Sequence, residues 1–489
     1  MAPAPVLDAD QLKVVQHDRG VLRVLAGPGT GKTTTLVEAV AHRVLERGVP
    51  VEHHLLLTFS RQAAGQLRDQ VTARLRRTIS EPVARTFHSY AYGLVRRAAV
   101  LAGDVPPRLL SGPEQDVTLR ELLAGRLADG TDEWPVALSA AVQTQAFADE
   151  LRDLLMRAIE RDVWPERLAE LGHQHGRPDW LVAADILQEY FDVTSLQAPG
   201  AFDAAELIQR ASWELRENPE LLQAERAKRR RIFVDEYQDT DPAQVELLKL
   251  VAGSADELVL IGDPDQAIYA FRGAEQSAMA DIDLHFGSLA GTVRIERRGQ
   301  LEFSAPVDTV TLPTCWRSGP ALLDASRRVA SRLAGSSRHR KLQPAGDRPA
   351  GRVTAAVFGS ASHEASYLAS LLRRAHAEDG VPWSQMAVLV RSAGPAADTL
   401  RRGLAAADVP VGQPVQGALT DDPVVAHLLD LLLCVADPKS VTADDAEALL
   451  VGAVGRADPL QILRMRRHLR RVPDGPLSLA ELITEPAAL

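Results

Sequence analysis

The sequence predicts an α/β protein built from two parallel sheets, each covered by helices on both faces and each interrupted by a helical insertion. Three observations predict it. Short runs rich in Val, Ile and Leu alternate with longer segments whose apolar residues recur every three to four positions. Strands rich in Val, Ile and Leu that alternate with helices are expected to be buried on both faces, as in a parallel sheet. The alternation also occurs twice along the chain, with long helical stretches breaking it.

The elements follow in order. VLRVLA (21–26) reads as a buried strand, followed by a glycine-rich turn and a helix from about Lys32 to Arg47. LLLTF (55–59) is a second strand with a helix at 61–77, and PVARTF (82–87) is a third strand. Residues from about 90 to 228 read as helices, FADELRDLLMRAIERD (147–162) being typical. IFVDE (232–236), a helix at 241–252 and LVLIGD (258–263) then complete the first sheet. The second series is TVTLP (309–313), helix 318–333, GRVTAAVF (351–358), helix 362–377, MAVLVR (386–391), helix 396–406 and VPV (409–411). The stretches 336–351 and 411–423 read as linkers, and from about 424 the chain is helical again. The expected division is 1–105 and 201–290 for the first α/β domain, 106–200 for its insertion, 291–418 for the second domain and 419–489 for the start of a second insertion.

Composition narrows the class. Of 489 residues, 46% are apolar and 25% charged, ordinary for a protein with sizeable cores. Two cysteines, Cys315 and Cys434, cannot make a disulfide framework or a four-cysteine metal site. The N-terminus MAPAPVLDAD has no basic patch followed by an apolar stretch, and VVAHLLDLLLCVA (424–436) is too short for a membrane span and carries His427 and Asp430. The expectation is a cytoplasmic protein without a membrane partner. The net charge of −10 argues weakly against nucleic acid, but a motor can gather positive charge in one groove while the rest stays acidic.

The strongest motif is AGPGTGKT (26–33), placed between a strand and a helix. Ala26 stands where the strict pattern has glycine; Gly27, Pro28, Gly29, Thr30 and Gly31 are small enough for backbone N–H groups to curl around phosphate oxygens. The helix N-terminus adds a favourable dipole. Lys32 is placed for the β- and γ-phosphates, Thr33 for Mg²⁺, and Thr34 for the same loop. FVDEYQDT (233–240) puts two carboxylates at a strand end: Asp235 for Mg²⁺, Glu236 to position and deprotonate an attacking water. IGDPDQAIYAFRGA (261–274) crowds Asp263, Gln266, Tyr269, Phe271 and Arg272 behind a strand. Gln266 suits sensing of a γ-phosphate. Aromatic faces beside a guanidinium suit stacking on single-stranded bases, each worth roughly 1–3 kcal/mol.

These motifs, in this order, resemble the superfamily 1A DNA helicases of the UvrD/Rep/PcrA type over most of the chain. The resemblance implies two RecA-like P-loop NTPase domains, ATP and Mg²⁺ as cofactors, and 3′→5′ movement on single-stranded DNA with duplex unwinding. It implies that Gln11, 21 residues before Lys32, reads adenine. TFSRQAA (58–64) looks like motif Ia with Phe59 on the strand path, although Arg61 and Gln62 replace the usual Asn-Lys pair. TFHSYAY (86–92) looks like motif Ib, with Thr86 and His88 on the DNA side. TCWRS (314–318) resembles motif IV, in which Trp316 would pack on adenine and Arg317 would reach the γ-phosphate across a cleft between the domains. Such an arginine can be worth about 10³–10⁵ in rate.

Segments 79–116 and 147–180 look like the A subunit of the actinobacterial heterodimeric helicase–nucleases of AdnAB type, which implies double-strand-break processing and recombination beside a second subunit. No motif V or VI and no nuclease domain is found, so the expectation is an N-terminal portion of such a subunit. Two other readings stay open: a P-loop enzyme of another class, such as a small-molecule kinase, and a non-catalytic DNA-binding or scaffold subunit. Of two basic runs, ERAKRRR (225–231) reads as a solvated helix end. ILRMRRHLRR (462–471) reads equally as a solvated helix face or as a contact to duplex phosphates.

Overall fold

A computed structural model describes residues 5–76, 81–130, 134–196, 200–275, 277–290, 294–297, 300–303, 307–335, 338–346, 348–392, 395–412, 423–452, 455–469 and 478–484. Two compact units divide the chain, Met1–Thr354 and Ala355–Leu489.

The first unit opens with α1 (Ala9–Gln16), started by a reciprocal cap between Asp8 and Gln11. Then come β1 (Gly20–Ala26), α2 (Lys32–Leu45), β2 (His54–Thr58), α3 (Arg61–Leu75), β3 (Ala84–Thr86) and α4 (Phe87–Ala102). The helical stretch follows. It holds β4 (Arg108–Leu109), α5 (Gly112–Ala128), α6 (Gln145–Glu160), α7 (Pro165–His175), α8 (Pro178–Leu196), β5 (Ala201–Phe202), α9 (Ala204–Glu217) and α10 (Pro219–Lys228). The chain then forms β6 (Arg231–Val234), α11 (Pro242–Ala252), β7 (Glu257–Gly262) and α12 (Ile282–Phe286). An antiparallel pair, β8 (Arg294–Arg297) and β9 (Gln300–Phe303), leads to β10 (Asp308–Leu312), β11 (Thr314–Cys315), α13 (Pro320–Ala330) and β12 (Gln343–Pro344).

Six strands form one parallel sheet in the order β10-β1-β7-β6-β2-β3. Alternate residues of each strand feed opposite cores. Leu22, Val24, Leu56, Phe233, Val259 and Ile261 meet α1, α2 and α3, while Val21, Leu25, Leu55, Leu57, Ile232 and Leu258 meet α4, α9 and α11. Each fully buried Leu, Ile or Val contributes roughly 1.5–3 kcal/mol, which is why these runs show no polar phase. The insertion has its own core, including Leu119, Leu155, Ile159, Ile186 and Tyr190. Where the chain enters and leaves it, β4 and β5 pair in parallel.

One expectation is corrected here. The sequence places TVTLP in a second sheet, with a domain boundary at 290/291, but β10 pairs with β1 from Leu22↔Asp308 to Ala26↔Leu312 and closes the first sheet. Without β10, β1 would be an edge strand carrying the phosphate-binding loop. Val310 and Leu312 pack into the α1–α3 core, so burial selects this partner. The run 225–231 is also not a solvated helix end. Glu225 and Arg229 are buried, and Glu225 accepts from the Tyr90 hydroxyl (3.1 Å), Arg97 and Arg229 (3.0 Å). Below β6 and β7, buried Glu257 pairs with Arg43 and with Arg231 (2.9 Å).

The second unit packs α14 (Ala361–Ala377) on α15 (Pro395–Ala406) around Ala369, Leu404 and Val409. Helices α16 (Pro423–Ala436), α17 (Ala443–Val451), α18 (Pro459–Leu469) and α19 (Leu479–Thr484) follow, the last three around Ala446, Ile462, Leu469 and Leu479. The segments 351–358 and 386–391 and the stretch VPV (409–411), expected as strands, carry no ladder among the described residues. A parallel strand needs a paired neighbour and cover on both faces; here Val353, Val357, Leu389 and Val390 are exposed. Most of the expected linker 411–423, with the boundary at 418/419, lies outside the described residues, as do Arg470 and Arg471. Arg466 pairs with Glu447, and Ile462 and Leu469 are buried, so this face of the run is structural.

Candidate functional site

All the segments singled out by the motifs leave the carboxyl ends of strands of one sheet: residues 27–31 after β1, Phe59 after β2, Thr86 at the end of β3, Asp235 after β6, Asp263 after β7 and Trp316 shortly beyond β10. Ligands of open parallel sheets bind at that edge.

The phosphate-binding loop is built for close approach. Gly29 and Gly31 have φ of +75° and +82°. A Cβ on Gly29 would lie 2.8 Å from Arg317 Cβ and 2.9 Å from Cys315 Sγ, and one on Gly31 would lie 2.7 Å from Gln11 Nε2 and 3.6 Å from Trp316 Cδ1. The loop is tied by Thr30 Oγ1 to the Gly27 carbonyl (2.8 Å), by the Trp316 N–H to the Gly29 carbonyl (2.8 Å) and by the Cys315 thiol to the Pro28 carbonyl (3.4 Å). Gln11 donates to the Thr30 carbonyl (3.3 Å). Gln11, Trp316 and the Cβ of Arg317 therefore surround the loop within the first unit, and Arg317 is exposed. Ala26 ends β1, fully buried.

Helices α1, α3 and α4 have side-chain caps, but α2 starts at Gly31 with none. Its first turn, with Lys32, Thr33 and Thr34, thus presents backbone N–H groups that an anion can satisfy. Small glycine-bearing loop, uncapped helix and lysine together fit a nucleotide phosphate. Lys32 Nζ donates to Glu236 Oε2 at 2.7 Å. Burial and the neighbouring Glu236 charge push Asp235 up to about 6, with Lys32 opposing. Burial and Glu236 push Asp239 up to about 7. Crowded, desolvated carboxylates of this kind favour a divalent cation. Glu236 sits at φ +52°, a left-handed conformation costly for a non-glycine residue and characteristic of functional sites.

A hydrogen-bonded chain leads on from Glu236. Gln238 Nε2 donates to Glu236 Oε2 (2.9 Å), and its Oε1 accepts the Asp263 N–H (3.0 Å). Gln266 Nε2 donates to Asp263 Oδ2 (2.6 Å). A few residues later Tyr269 stacks on Phe59 with ring centres 4.4 Å apart, and Phe271, 69% exposed, lies 6.1 Å from Tyr269. Arg272 belongs to the same short turn, and its side chain lies outside the described residues. The Thr86 hydroxyl accepts the Ser89 N–H (3.1 Å) and caps α4, while burial and the Arg61 charge push half-buried His88 below its usual range.

A family profile described as the UvrD/REP helicase N-terminal domain matches residues 7–287, more than half of the chain. The chain belongs to the UvrD/REP helicase family. It is similar to ATP-dependent DNA helicase UvrD2 of Mycobacterium tuberculosis (strain ATCC 25618 / H37Rv), with 30% identity over 403 residues that cover 79% of this chain and 52% of that protein. It is similar to the putative ATP-dependent DNA helicase YjcD of Bacillus subtilis (strain 168), with 27% identity over 288 residues, 57% of this chain and 35% of that one. A probable DNA helicase of Mycoplasma pneumoniae (strain ATCC 29342 / M129 / Subtype 1) is 28% identical over 396 residues, 79% and 67% of the two chains. The chain spans 52% of the length of the UvrD2 relative, 35% of the Bacillus one and 67% of the Mycoplasma one, so only part of these proteins. Among the described residues no helix is long and apolar enough to cross a membrane.

In this UvrD/REP-family chain, sequence reasoning missed four site residues. Gln238 and Asp239 stood inside the quoted motif FVDEYQDT and went unassigned. His339 and Arg340 lay in a stretch read as a linker. His339 Nε2 lies 2.9 Å from Asp265 Oδ2, and Arg340 grips both oxygens of Asp265 at 2.7 Å. A basic run after a helix gives no hint that a carboxylate some seventy positions earlier is its partner.

Proposed function

We propose that this chain is the nucleotide-binding and strand-gripping part of an ATP-dependent DNA helicase. What supports it is one continuous path from Lys32 through Glu236, Gln238 and Asp263 to Gln266, on a loop that carries Tyr269 against Phe59 and Phe271 beside Tyr269. ATP with Mg²⁺ supplies the anhydride whose hydrolysis powers movement. Lys32 and the first turn of α2 bind its phosphates, Thr33 and Asp235 hold the metal, and Gln11 with Trp316 flanks the base. Glu236 takes the proton of the attacking water, Arg317 stabilises the charge that develops, and Gln266 reports the third phosphate. Phe59, Tyr269, Phe271 and Arg272 hold single-stranded DNA, with Thr86 and His88 beside them.

The finer reading is a 3′→5′ motor in recombination and double-strand-break repair, paired with a second helicase–nuclease subunit as in AdnAB-type enzymes. Its first lobe takes residues 1–105 and 201–312, the insertion 106–200, and the second lobe begins after β10. The stacked aromatics disfavour a small-molecule kinase, and the complete set Lys32, Asp235, Glu236, Gln266 and Arg317 disfavours a passive scaffold. ATP hydrolysis measured with and without oligo-dT decides among these. Stimulation by oligo-dT in wild type and its loss in Lys32→Ala support the motor. Hydrolysis indifferent to DNA supports the kinase class, and DNA binding without hydrolysis supports the scaffold.

A further inference from the structure

Residues 338–342 form a second wall of the nucleotide site that no motif marks. The His339 carbonyl lies 3.2 Å, and Leu342 Cδ1 3.1 Å, from where a Cβ on Gly27 would stand. The same segment reaches the loop after β7. His339 Nε2 is 2.9 Å from Asp265 Oδ2 and 3.6 Å from Asp263 Oδ1, and its side chain is almost wholly buried. Facing two carboxylates, Nε2 must carry the proton and donate. Nδ1 is buried without a partner. A packing residue would avoid that cost, so the contact at Nε2 is what the histidine is there for. Arg340 holds Asp265 from the other side and is itself fixed by the carbonyls of Leu333 (2.9 Å) and Ala334 (2.6 Å).

We propose that His339, backed by Arg340, is a positioning residue that sets the preference of this site for a nucleoside triphosphate over the diphosphate. It acts on Asp263 through Asp265, whose carboxylate it binds and whose N–H holds Asp263. The Asp263 carboxylate holds Gln266 by Oδ2 (2.6 Å), accepts the Asp265 N–H by Oδ1 (3.1 Å) and faces His339, while the Asp263 N–H is bound by Gln238. Gln238 shares Glu236 Oε2 with Lys32. One segment thus touches the loop that takes the phosphates and fixes the amide placed to sense the last of them. With the Asp265 side chain released, its N–H would hold Asp263 Oδ1 less firmly and Gln266 could turn away without altering the diphosphate contacts at α2.

The inference rests on the nucleotide-site reading above, and the test separates the two. Equilibrium binding of a non-hydrolysable ATP analogue and of ADP, both with Mg²⁺, is measured by fluorescence for the full chain as wild type, His339→Ala and His339→Gln. The expected result for His339→Ala is a drop of about fivefold or more in the triphosphate-to-diphosphate affinity ratio, with ADP affinity kept within about twofold. His339→Gln, which can present an N–H donor at similar reach, restores most of the ratio. An unchanged ratio, an equal loss for both nucleotides, or no rescue by glutamine overturns the proposal. Should His339→Ala melt below the assay temperature, Asp265→Asn replaces it and must show the same selective drop, an unchanged ratio again being fatal. A wild-type chain that binds neither nucleotide overturns the nucleotide-site reading and the inference with it. Normal binding with undisturbed discrimination in His339→Ala overturns the inference alone.

Discussion

Lys32 and Glu236 hold each other at 2.7 Å where an anion and its metal would otherwise separate them. The pair is partly solvated, so breaking it changes stability by less than about 1 kcal/mol. Lys32→Ala is therefore expected to keep its melting temperature while losing roughly 10²–10³ in ATP hydrolysis, the usual cost of one missing charge-stabilising donor. Gly29→Ala fails differently, because its Cβ would overlap Arg317 and Cys315 and its φ is +75°. The expected result is a loss of about 1–3 kcal/mol in chemical denaturation together with weakened nucleotide binding. Glu160, on α6, gives a pH signature. Burial, with Asp241 adding to it, pushes its carboxyl up to about 8 against Arg157 and Arg161. The fold keeps it protonated to about that pH, while the unfolded chain ionises near 4.5, so stability falls as pH rises across this window. Glu160→Gln should raise the melting temperature at pH 8 by roughly 2–4 °C and leave it unchanged at pH 4; an equal shift at both pH values would contradict this.

Among elements, the loop after β7 would join two tasks in the proposed reading, since Gln266 ends one short turn and Tyr269 and Phe271 belong to the next. Phe271 is exposed and supports little of the core. Phe271→Ala is expected to weaken oligo-dT binding by roughly 1–3 kcal/mol, read by fluorescence anisotropy, with no change in melting. The placing of Lys32, Asp235, Gln266 and Phe59 at the carboxyl end of the sheet is legible in the sequence because each stands within a few residues of a strand end, and local pattern fixes strand ends. That of His339 and Arg340 is not, because their partner Asp265 is distant in sequence. Strand pairing was similarly opaque. The residues of TVTLP predict a strand but not its neighbour; burial of Val310 and Leu312 along the otherwise bare edge of β1 decides that β10 joins the first sheet.

For the whole molecule, the sheet is anchored beneath the site by a buried charge cluster. Burial alone would raise the Glu257 carboxyl, but hydrogen bonds from His17, Arg43 and Arg231 outweigh it and hold it near about 2. That stabilisation is complete above about 4.5, the ordinary value, and fades as pH falls toward 2. Acid unfolding followed by circular dichroism should show this loss, and Glu257→Gln should unfold at neutral pH in less denaturant, since it leaves Arg43 buried without its counter-charge. In the proposed function, nucleotide state and grip on DNA are joined above that anchor through one loop. The most direct measurement is the affinity for oligo-dT with a non-hydrolysable ATP analogue, with ADP and with no nucleotide, in wild type and Gln266→Ala. A shift of about fivefold or more between nucleotide states in wild type, flattened in Gln266→Ala, is the expected result. Equal affinities in all three states would show that the phosphate loop and the aromatic row work independently.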